Sequence, residues 1–240
     1  MRPDFVDNQE LSLLNALQGH IQYRIENNMN LNLDIATGYV NPQAFAMLAD
    51  ELEQCERVRL LFGADPLPPS QQPKRRVGED EEALQQRLVD EAMEALAAGL
   101  EHDRNLLGFT PEQHASVRRM LDLLQSGRVE VMQYPGRFLH GKTYVFGQGE
   151  NRDCYLVGSS NFTAAGLTSN LELNVGRYDP SPVMRVGQWF DDLWQRSEPF
   201  DLAAVYEARM ELNHPYLVFL RILWELYGDE LTRDHDDGEI

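Results

Sequence analysis

The chain has 240 residues, 42% of them hydrophobic and 25% charged, the composition of a soluble globular protein with material for one large domain or two small ones. No run of about eighteen apolar residues occurs, which excludes a membrane-spanning helix, and the amino terminus MRPDFVDNQE lacks the apolar stretch of a secretory signal. The net charge of −18 speaks against tight non-specific binding of nucleic acid by this chain alone, because phosphate contacts need Lys and Arg.

Residues 9–26 read as a helix with Leu11, Leu14, Leu17, Ile21 and Ile25 on one side. Leu31 to Ala36 alternates as a strand, and Asn41-Pro42 opens a helix, with Asn as cap and Pro in the first turn. Arg57 to Phe62 is a second strand, so strand, helix and strand form a right-handed parallel unit. Residues 64–78 hold four prolines (66, 68, 69, 73) and Lys74-Arg75-Arg76, which reads as a mobile, solvated basic loop. Glu79 to Leu100 is a helix with Leu84, Leu88, Met93, Leu96 and Leu100 on one face. Thr110-Pro-Glu-Gln113 is a capping box for a further helix that closes at Gly127. Val129 to Tyr134 is a strand, Pro182 to Arg196 a helix bearing Trp189, Phe190, Leu193 and Trp194, and Phe200 to Tyr227 an apolar helix broken near Pro215.

Cys55 and Cys154 lie far apart in no metal-ligand spacing, which reads as two buried free thiols in a reducing compartment, by default the cytoplasm. The negative charge is concentrated. Glu79 to Glu101 holds eight acids and one Arg, a net −7, and Asp229 to Ile240 six acids and one Arg, a net −5. Residues 127–178, with five basic residues and four acids, are close to neutral.

That neutral region carries the chemistry. Arg137 to Val145 reads as a strand whose period of two sets Phe138, His140, Lys142 and Tyr144 on one face. A strand from Arg152 to Gly158 ends in a Gly-Ser-Ser-Asn turn, and a third, Asn170 to Tyr178, sets Asn170, Glu172 and Asn174 opposite Leu171, Leu173 and Val175. Taken singly, His140 is an ordinary strand histidine, Lys142 a solvated charge, Glu172 a surface acid, and Ser159 or Asn161 a helix cap. The combination is specific.

His140-x-Lys142, Gly158-Ser159-x-Asn161 and a Glu eleven residues later, Glu172, resemble the signature of the phospholipase D superfamily. The resemblance implies a mixed α/β sandwich, a largely parallel or mixed central sheet flanked by helices, with further helices at the C-terminus. It also implies catalysis by His140, Lys142, Ser159, Asn161 and Glu172. A neutral His140 attacks phosphorus, Lys142, Ser159 and Asn161 hold the non-bridging oxygens, and Glu172 accepts from the imidazole. Ser160, Asn174, Lys74, Arg75 and Arg76 are candidates for contact with substrate. The set lacks the clustered carboxylates of a two-metal nuclease, so no metal and no cofactor are expected. The family needs two motif copies and this chain has one, so a homodimer is expected. The fuller family motif has an Asp five residues after the Lys, where this chain has Gly147; that departure is shared by nuclease-like members and also leaves open an inactive site.

Phe5 to Asn8, Leu33 to Tyr39, Arg59 to Gly63 and Trp224 to Gly228 extend the resemblance to the phospholipase D-like region of some bacterial Swi/Snf-type helicases. The expected organisation is a catalytic domain over 1–198, with the loop 64–78 and a helical insertion 79–126. A helical segment 199–228 and an acidic, disordered tail or linker 229–240 follow. The first function expected is a metal-independent nuclease, on DNA before RNA, working with a helicase in phage defence or repair. The second is a degenerate docking or dimerisation module for a helicase-type ATPase, and the third a phospholipid-acting enzyme.

Overall fold

In the computed structural model, residues 3–108, 110–210 and 215–231 are described. The chain opens with β1 (Phe5–Val6), α1 (Leu13–Glu26), β2 (Asn32–Thr37), α2 (Pro42–Met47), α3 (Ala49–Leu52) and β3 (Arg57–Phe62). Next come α4 (Glu81–Leu106), α5 (Pro111–Gln125), β4 (Val129–Gln133), β5 (Lys142–Phe146) and β6 (Cys154–Gly158). It closes with α6 (Ala164–Thr168), β7 (Asn174–Arg177), α7 (Pro180–Trp194), β8 (Glu198–Pro199), α8 (Leu202–Met210) and α9 (Pro215–Leu231). Ser12, Asn41, Asp80 and Thr110 each accept a backbone N–H of the first turn, and Ser12 sets the start of α1 at Leu13 rather than at residue 9.

Eight strands among the described residues form one mixed sheet in the order β1-β7-β6-β5-β2-β3-β4-β8. Strands β2, β3 and β4 are parallel and the remaining pairings antiparallel. On one face Leu33, Ile35, Leu60, Tyr144, Phe146 and Leu156 join Leu17, Phe45, Met120, Leu167 and Tyr206 in the main core. Helix α8 therefore belongs to this core. On the other face α7 sets Phe190 and Leu193 on Ala36, Leu61 and Leu139, and Val183 on Val145 and Tyr155.

That second face also holds charge. Asp34 of β2 accepts from Arg59 Nε and Nη2, both at 2.6 Å, and from Arg152 Nη2 at 2.9 Å. Both arginines reach Asp191 of α7 at 2.8 Å. The Arg59 guanidinium lies 4.8 Å from the Phe190 ring centre. Burial pushes the Asp191 carboxyl up, but the N–H groups of Arg152 and Arg59 hold it below the usual carboxylate range. Both cysteines are buried thiols, and burial pushes the Cys55 thiol up to about 12, a value that keeps it unreactive.

Several boundaries differ from the sequence expectation. The strand expected from Arg137 starts at Lys142, because Leu139 turns into the core beside Leu61 while His140 stays out. The strand expected from Asn170 starts at Asn174, and Leu171 and Leu173, before its start, are 78% and 53% exposed. Helix α4 runs past Leu100 to Leu106 and buries Val89, Ala92 and Leu100, a narrower stripe than the five residues expected. The acidic tail expected from Asp229 begins inside α9, which ends at Leu231; 232–240 lie outside the described residues.

Candidate active site

The candidate residues gather at one edge of the sheet. Strand β5 runs antiparallel to β2, and β6 antiparallel to β5. The C-terminal ends of β2, β3 and β6 therefore face the same way as the N-terminal ends of β5 and β7, the position where open α/β sheets bind ligands. His140 and Lys142 stand at the start of β5, Asn161 follows β6, and Gly38 and Asp65 follow β2 and β3.

Lys142 is 3% exposed, and its Nζ donates to the His140 carbonyl at 3.0 Å. Burial pushes its pKa down, while the carboxylates of Asp65 and Glu172 act in the opposite direction. Asn161 Oδ1 accepts from Gly38 N at 3.1 Å and from Thr37 Oγ1 at 3.2 Å. Those two donors orient the amide and leave its NH2 for a substrate oxygen. A Cβ on Gly38 would lie 3.3 Å from Asn161 Oδ1 and 3.6 Å from both Asp65 Oδ2 and Lys142 Nζ. Three of the polar groups thus border one small space, which a glycine keeps open.

The His140 side chain is 74% exposed, and its Nδ1 lies 2.5 Å from Asp65 Oδ1. Glu172, expected on this imidazole, is engaged elsewhere: it accepts from Ser159 Oγ and, at 3.3 Å, from Asn170 Nδ2. Ser159 Oγ in turn accepts from Leu173 N at 3.1 Å, so this pair holds the Gly-Ser-Ser-Asn turn against the entry to β7.

Ser160 and Asn174, expected to touch substrate, are fully buried, and Asn174 Nδ2 donates to Ser160 Oγ at 2.8 Å. Tyr144 OH adds a bond to the Ser160 carbonyl at 3.2 Å. Their polarity braces the turn from inside. Lys74, Arg75 and Arg76 sit on the exposed loop before α4, with Arg75 donating to the Glu79 carbonyl at 2.9 and 3.1 Å. Gly147 lies at the far end of β5, about 17 Å along the strand from Lys142. Its φ is +88°, and a Cβ there would fall 2.3 Å from the Asn151 carbonyl oxygen. An Asp does not fit this turn. Sequence reasoning missed Asp65, Thr37 and Gly38; the one available signal was their place at or just beyond the ends of two parallel strands.

A family model described as cardiolipin synthase, phospholipase D-like domain, matches residues 27–194. The chain belongs to the phospholipase D-like family. This assignment carries phosphodiesterase chemistry at the level of the superfamily. No curated protein sequence matches the chain. Among solved structures, phosphatidylserine synthase from Haemophilus influenzae is similar at 14% identity and a TM-score of 0.50, over 95% of this chain and 46% of that one. Nuc from Salmonella typhimurium, a phospholipase D family member, is similar at 12% identity and a TM-score of 0.41, over 76% and 90% of the two chains. NucT from Helicobacter pylori is similar at 11% identity and a TM-score of 0.44, over 78% and 91%. The first of these likenesses shows a shared fold and nothing finer.

Proposed function

We propose that this phospholipase D-like chain is a metal-independent nuclease that cleaves phosphodiester bonds through a phosphohistidine, at a site completed by a second copy. The observation that carries the reading is the convergence of Lys142 Nζ, Asn161 and the Asp65–His140 pair around Gly38. A cation and an amide donor there hold the non-bridging oxygens of a phosphate, next to an exposed nucleophile. His140 Nε2 forms a bond to phosphorus as the bond to the leaving oxygen breaks, and that oxygen takes a proton from the second copy's histidine. Water then attacks phosphorus, gives its proton back to that histidine, and the P–N bond breaks. Leu171 and Leu173, exposed on either side of Glu172, supply apolar surface for the second copy beside the site.

DNA is the substrate favoured, with a helicase-type ATPase as attached or partner protein in defence or repair. A second reading, a docking module for such an ATPase, is favoured by the net charge of −18, which weakens intrinsic nucleic-acid affinity. The test is hydrolysis of single- and double-stranded DNA, RNA and bis-p-nitrophenyl phosphate in excess EDTA, with His140→Ala alongside and the mass in solution measured. The expected result is a dimer whose activity survives EDTA and disappears in the variant. A folded dimer without activity, or activity that EDTA removes, would overturn the nuclease reading.

A further inference from the structure

The geometry points to Asp65, from the loop after β3, as the positioning residue for the His140 imidazole in place of the motif glutamate, Glu172. This inference rests on the nuclease reading above. The two carboxylates are sorted by what they touch: Asp65 Oδ1 is 2.5 Å from His140 Nδ1, while Glu172 accepts from Ser159 Oγ and Asn170 Nδ2.

Asp65 is held in that place by the backbone. Leu139 N donates to the Ala64 carbonyl at 3.3 Å, so the residue before His140 is tied to the residue before Asp65. A Cβ on Gly63 would fall 2.8 Å from Leu139 Cβ, so glycine is what lets the two segments come this close. Ala64 and Leu139 are buried, 1% and 5% exposed, and anchor both segments under the site. Pro66 follows and keeps Asp65 in extended backbone. Asp65 and His140 are neighbours by construction on both sides.

A carboxylate accepting from Nδ1–H fixes the tautomer that leaves the Nε2 lone pair free. It also stabilises the positive ring that exists once Nε2 is bonded to phosphorus. Glu172, by contrast, braces the turn that delivers Asn161. Asp65 is also the first exposed residue of the loop that carries Lys74, Arg75 and Arg76, so the imidazole is oriented from the root of the basic loop.

The experiment compares Asp65→Ala, Asp65→Glu and Glu172→Gln in the full chain with wild type and His140→Ala. It measures kcat on bis-p-nitrophenyl phosphate across pH, thermal midpoints, and the 15N shifts of the His140 ring. Asp65→Ala is expected to lower kcat by about 100- to 10,000-fold. Its thermal midpoint is unchanged, and the Nδ1–H signature is lost. Asp65→Glu recovers part of the rate, and Glu172→Gln keeps the Nδ1–H signature. Wild-type rate and ring shifts in Asp65→Ala, with both lost in Glu172→Gln, would overturn the inference and leave the nuclease reading standing. If wild type itself shows no activity, the nuclease reading fails, and the ring shifts still decide whether Asp65 holds His140.

Discussion

Replacing Asp34 by alanine leaves two buried guanidinium groups, Arg59 and Arg152, to share the one remaining carboxylate, Asp191. Asp34 is 3% exposed and accepts three N–H bonds of 2.6, 2.6 and 2.9 Å. The Asp191 side chain is 35% exposed and cannot reproduce that enclosure. Arg152 Nε, already buried without a partner, shows that the cluster has no spare acceptor. Removing one member of a buried ion pair costs about 3–5 kcal/mol. For a chain of this length that corresponds to a fall in Tm of roughly 6–20 °C. The control is Arg57–Glu130 on the adjacent strands, the same chemistry with side chains 36% and 46% exposed, where Arg57→Ala is expected to cost less than about 1 kcal/mol. Thermal and urea unfolding of the two variants beside wild type measure both. Similar small losses for Asp34→Ala and Arg57→Ala would refute the claim that this network fastens α7 to the sheet.

Further expectations concern the site. Gly38→Ala brings a methyl 3.3 Å from Asn161 Oδ1 and 3.6 Å from Lys142 Nζ, so kcat should fall about tenfold or more while the thermal midpoint moves by only a few degrees. Gly147→Asp, which restores the family's residue, should destabilise the chain by about 1–3 kcal/mol for backbone strain alone, with added cost from the contact at Asn151, and should yield no gain in rate. Burial pushes the Lys142 ammonium down, so kcat/KM should decline on the alkaline side below the usual lysine value of about 10.4, as the positive charge is lost. Lys142→Arg, weaker overall, should lack that alkaline limb, which a pH–rate series would show.

Much of this protein was legible from its residues because the signals were local. Helix starts at Asn41 and Thr110 follow from side chains that cap their own first turns. Strand β3 matches the apolar run Arg57–Phe62, since burial on both faces leaves a nearly continuous apolar stretch. His140, Lys142 and Asn161 were named as candidates from their motif spacing, and the start of β5 and the turn after β6 carry them. The sequence could not say where a polar side chain goes once its strand ends. Period-two counting placed His140 on a strand that in fact begins at Lys142 and put Asn174 on the side of Glu172, and Ser160 and Asn174, expected at substrate, bond each other inside. It passed over Asp34 with Arg59 and Asp65 with His140, pairs separated by 25 and 75 positions. Those partnerships exist only once crossovers lay distant segments side by side. The sequence alone determined the chemistry available to this chain; the tertiary structure decided which carboxylate meets which cation, because that depends on how strand ends meet at one edge of the sheet.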